Sequence, residues 1–125
     1  MKSSTPEEYL CLVHFDGTTL SNLTEAEKAR LDRDSLAYDV AIKKSGHLVV
    51  AQALQSADKA RIVSVREGQT SVVDGPFTET KEQLGGFILI KAQSMGEAEK
   101  IAAGIPLAKL GRIEVRPIYT IPKRK

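Results

Sequence analysis

Two segments of this chain are apolar on both alternating faces, and that restricts the folds open to it more than any other feature. In residues 8–15, Tyr9, Cys11, Val13 and Phe15 alternate with Leu10, Leu12 and His14. In residues 84–92, Phe87 and Leu89 alternate with Ile88 and Ile90. A strand with one wet face carries polar residues at every second position, so these two strands belong to a sheet covered on both sides.

Helix signals supply one cover. Thr24 and Glu27 have capping-box spacing, and Gly46 supplies a left-handed stop about five turns later. Leu36, Val40 and Lys43 fall on one stripe of this helix, with Tyr38 and Ile42 beside it. Ser94 and Glu97 repeat the capping spacing, and Ala98, Ile101, Ala102 and Ile105 follow at helical intervals before Gly104 and Pro106. Strands are predicted over residues 8–15, 47–54, 84–92 and 112–121, with Asp16-Gly17 as a closing turn after the first. Residues 61–67 and 70–73 read as a hairpin around Gly68-Gln69, with alternation too weak for the central sheet. The expected fold is α+β: a ferredoxin-like βαββαβ antiparallel sheet with an inserted hairpin, both helices on one face. The other face needs a second cover, for which a second copy of the sheet is the simplest source, so a homodimer is expected.

One domain over residues 1–125 accounts for the length, with residues 1–7 and 122–125 as flexible ends. The single cysteine, Cys11, lies in an apolar run and permits no disulfide framework within one chain, which suits a reducing cytoplasm. The N-terminal residues lack the apolar core of a signal peptide, and no run approaches the roughly 20 apolar residues of a membrane span. Lys123-Arg124-Lys125 carry more than the whole net charge of +2, leaving the rest near neutral with its cations scattered among acids. With no Trp, the pattern does not suit a nucleic-acid-binding face.

The most unusual backbone chemistry lies between the hairpin and the 84–92 strand: Asp74-Gly75-Pro76-Phe77-Thr78-Glu79-Thr80-Lys81-Glu82-Gln83-Leu84-Gly85-Gly86. A tight turn, a dense charge group and a glycine pair exceed what a plain connection needs. Together with Tyr9-Leu10-Cys11-Leu12-Val13, Ile105-Pro106 and Gly111-Arg112-Ile113-Glu114-Val115-Arg116-Pro117, it resembles the DGPF branch of the YciI-related proteins. That resemblance implies a dimeric α/β barrel. It also implies a small-molecule enzyme without a cofactor, using a histidine and an aspartate as acid and base in a lyase- or hydrolase-like step. Relatives encoded beside extracytoplasmic-function sigma factors suggest an alternative, a non-catalytic ligand-binding or regulatory module. A plain dimeric interaction domain is a third reading.

The candidate catalytic residues are Asp74, His14 and His47. Asp74 either forms the turn or presents a carboxylate at the sheet end, and these roles are compatible. His14 and His47 are structural, or one of them works with Asp74 or Asp16 as partner; the long helix, where a family histidine would be sought, has none. The candidate ligand-binding residues are Gly75, Pro76, Phe77, Lys81, Gly85, Gly86 and Arg116. Phe77 anchors the loop or offers a platform. Lys81, beside a helical turn opening at Thr78, suits a small anionic ligand. Gly85-Gly86 permits a bulge, close packing or ligand space. Arg116 shares the non-helix face with Glu114, as a salt bridge or as a guanidinium lining a cleft. No metal-ligand spacing and no Walker or Rossmann glycine loop is present, so neither metal nor cofactor is expected.

Overall fold

The computed structural model describes residues 5–76 and 82–123. Its main sheet is antiparallel and four-stranded. It contains β1 (Glu7–Asp16), β2 (Leu48–Ala53), β5 (Glu82–Ala92) and β6 (Arg112–Pro117), in the order β2-β5-β1-β6. β3 (Arg61–Arg66) and β4 (Gln69–Asp74) form a separate two-stranded sheet. The helices are α1 (Gly17–Ser21), α2 (Glu25–Lys44) and α3 (Met95–Ala103). This is a mixed α+β architecture, and its strand order agrees with the ferredoxin-like arrangement.

The caps form as the sequence requires. Thr24 Oγ1 accepts from the Glu27 amide at 3.1 Å while the Glu27 carboxylate accepts from the Thr24 amide at 2.8 Å. The Thr24 backbone amide, and after it the Thr24 side chain, hold the Glu27 carboxyl below its ordinary value. Ser94 accepts from the Glu97 amide at the start of α3. Tyr9, Cys11 and Val13 of β1 and Ile88, Ile90 and Ala92 of β5 pack with Ala98, Ile101 and Ala102 of α3, and Ile42 of α2 completes the cluster with Ile105. Burial pushes the Cys11 thiol up to about 11, which makes it an inert core residue at neutral pH.

Four details depart from the sequence expectations. Asp16 does not close a simple turn but caps α1, accepting from the Thr18 amide at 2.9 Å and its hydroxyl at 2.8 Å. The hairpin turn is centred on Glu67-Gly68, both at positive φ, one residue earlier than expected. β6 ends at Pro117, opposite Tyr9 of β1, rather than at residue 121, and Ile118 donates one further bond, to Glu8 O at 2.9 Å. The inward stripe of α2 runs through Leu31, Ser35, Tyr38 and Ile42, whereas Leu36 and Val40 are 67% and 53% exposed.

α2 is tied to α3 by one polar bond, from the Tyr38 hydroxyl to Ile101 O at 2.6 Å. Gly104 permits this approach, since a Cβ there would meet the Tyr38 ring at 2.6 Å. Tyr38→Phe should therefore lower unfolding stability by about 1 kcal/mol, measured as a lower urea midpoint at unchanged slope.

Candidate functional site

The ends of β1, β5 and β6 that lie near the Asp-Gly-Pro turn frame an open cleft of about 880 Å³. Its lining includes His14, Lys59, Pro76, Glu82 and Arg112. These residues converge because register dictates it. His14 pairs with Arg112 across β1 and β6, and Leu12 pairs with Glu114, so His14, Glu114 and Arg112 share one sheet face. A bulge between Val13 and His14 advances β5 by one residue: Val13 faces Gly86 and His14 faces Leu84, leaving Gly85 unpaired.

The His14 Nε2 atom lies 3.0 Å from Glu114 Oε1, and both side chains are partly exposed. A carboxylate offers only acceptors, so the neutral imidazole in this pair carries its proton on Nε2 and its lone pair on Nδ1. Arg112 forks onto Glu82, with Nε 3.0 Å from Oε2 and a terminal nitrogen 2.7 Å from Oε1. That hydrogen bonding holds the Arg112 guanidinium above its ordinary value. Lys59 makes no ion pair among the described residues, so its ammonium is the uncompensated charge of the lining.

The sequence candidates fall into three groups. His14 and Pro76 line the cleft. Asp74 is not beside either histidine: it pairs with Arg61 at 3.2 Å and its side chain is 84% exposed. Gly75 follows it, its amide donating to Ala60 O at 2.8 Å, and the Gly75-Pro76 peptide is cis. His47 stands at the other end of the molecule, with Nδ1 2.7 Å from Ser45 Oγ and Nε2 3.5 Å from Glu97 Oε1. Gly85 and Gly86 pack closely on protein, since a Cβ on Gly85 would overlap the Phe15 ring and one on Gly86 would lie 2.8 Å from Gln52 O, and both also line a separate cleft beneath α2. Arg116 pairs in register with Leu10 and makes no ion pair among the described residues. Phe77 and Lys81 lie outside the described residues.

Glu114 is the partner that sequence reasoning missed. Its shared face with Arg116 was legible, but its place beside His14 follows only from the β1–β6 register.

A split βαβ sheet, a hairpin arm and an Asp-Gly-Pro turn against the sheet end define a small α+β domain with one histidine–carboxylate cleft among its described residues. The YCII-related domain model matches residues 8–122, and the chain belongs to that family. It is 36% identical over 112 residues to an uncharacterized protein of Rhizobium meliloti (strain 1021), covering 88% of this chain and 90% of the relative.

Proposed function

We propose that the chain is a cofactor-free enzyme acting on a small anionic molecule, with His14 as general base and Glu114 as the group that fixes its tautomer. The observation that carries this reading is the 3.0 Å His14–Glu114 pair, whose imidazole lines the cleft. With its proton held on Nε2, the imidazole has Nδ1 free to take a proton from a substrate carbon or a water and to return it later. Lys59 supplies a charge for a substrate carboxylate or phosphate, because Arg112 is already engaged by Glu82. Such a transfer begins a lyase- or hydrolase-like step.

The reading includes a homodimer assembled through the open sheet face as an α/β barrel. Leu10, Leu12, Phe87 and Leu89 lie on that face, half-buried, and none of them belongs to the core cluster or packs against it. The site face and the dimer face are continuous, so the second copy would narrow the cleft.

2-Oxobutyrate is a suitable probe: its carboxylate suits Lys59, and its ketone acidifies the C3 protons. Incubation in D₂O should deuterate C3 faster than free imidazole at equal concentration, followed by proton NMR. Saturable binding at the cleft without faster exchange would replace the enzyme reading with a ligand-binding module. An absence of both would overturn the proposal.

A further inference from the structure

A second cleft, of about 570 Å³, lies beneath α2 on the helix side of the sheet and shares only Leu54 with the His14 cleft. It exists because α2 stands off the sheet: of its 20 residues, only Ile42 is buried. Leu20, Leu31, Ala51, Ile105 and Leu107 make much of the wall apolar. The volume is in the range of small-molecule sites.

The charge of this cleft has one sign. Asp32 and Asp39 line it, and no Lys, Arg or His does. Seven residues along one helix separate these two carboxylates by about 10 Å, so each addresses a different part of the space. Asp39 is half-buried and makes no hydrogen bond or ion pair among the described residues. Partial burial raises its carboxyl above the usual aspartate value, as expected for an acid without a compensating cation. Phe15 and Tyr38 are also in the lining, and aromatic side chains favour a cation over an anion.

We propose that this cleft binds a small amine with an apolar body, its ammonium meeting Asp39 and its body lying among Leu20, Leu31, Ala51 and Leu107. An ammonium donates to the carboxylate and cancels its charge, whereas an anion meets two like charges and a neutral body leaves Asp39 without a partner. The site is independent of the chemistry proposed at His14, so either can fail alone.

The test titrates the full chain with 2-phenylethylamine and, separately, with 3-phenylpropionate, followed by amide chemical shifts. The amine should bind saturably with shifts centred on Leu31, Asp39 and Leu107, and the carboxylate should bind at least about tenfold more weakly. Asp39→Asn, nearly isosteric, should weaken the amine by about tenfold or more. Ser35→Trp, which fills the cleft but keeps Asp39, should block it. The proposal is overturned by no saturable amine binding up to about 10 mM. Equal affinity for the carboxylate, unchanged affinity in Asp39→Asn, or shifts confined to the His14 cleft would overturn it too.

Discussion

Leu12→Glu should convert a dimer into a monomer, with sedimentation falling from twice the chain mass of 13.6 kDa to that mass itself. Leu12 sits opposite Phe87 on one side and Glu114 on the other, at the centre of the open sheet face. Association there removes apolar surface from water at roughly 25 cal/mol per Å², less the cost of immobilising two bodies. A carboxylate at this position would be desolvated beside Glu114, so association should weaken by on the order of 10²-fold or more. The core side of β1 is untouched, and the far-ultraviolet dichroism of the variant should match that of the parent. A parent protein that sediments as a monomer at micromolar concentration would rule out the proposed dimer.

Ile90→Ala should cost about 3 kcal/mol or more of unfolding free energy, the largest effect expected from a single core truncation here. Ile90 is fully buried and pairs with Tyr9 on β1 and Leu48 on β2, so it lies at the middle of the sheet beneath α3. Neighbours held by three strands cannot collapse into the space that its lost methyl and methylene groups leave. A urea midpoint close to that of the parent would contradict this placement.

The elements legible in the sequence were those with local chemistry at their ends. Thr24 with Glu27, and Ser94 with Glu97, announced α2 and α3, and the double apolar alternation announced β1 and β5. The peripheral hairpin was also readable, because its strands lacked a core-facing stripe. Asp16-Gly17 misled, since the same residues that close a turn can cap a short helix. The inward face of α2 was obscure because it carries Ser35 and Asp39, polar residues where a packed helix would carry leucines, and the cleft beneath it is the reason. At the site, His14 was found as a residue but not as a pair. Its contact with Glu114 joins residues a hundred positions apart, and strand register, invisible in composition, makes that contact.

Deuterium incorporation at C3 of 2-oxobutyrate, compared among the parent, His14→Gln, Glu114→Gln and Asp74→Asn, decides whether His14 is the working base. The parent should exchange, and the rate should fall by about 10²-fold or more in His14→Gln. Glu114→Gln should give a smaller loss, because an amide can still accept from Nε2 but leaves the imidazolium uncompensated. Asp74→Asn should retain the parent rate, since Asp74 pairs with Arg61 rather than with His14. Parent-like exchange in His14→Gln, together with its loss in Asp74→Asn, would rule out His14 as the base and place the working carboxylate on the Asp-Gly-Pro turn.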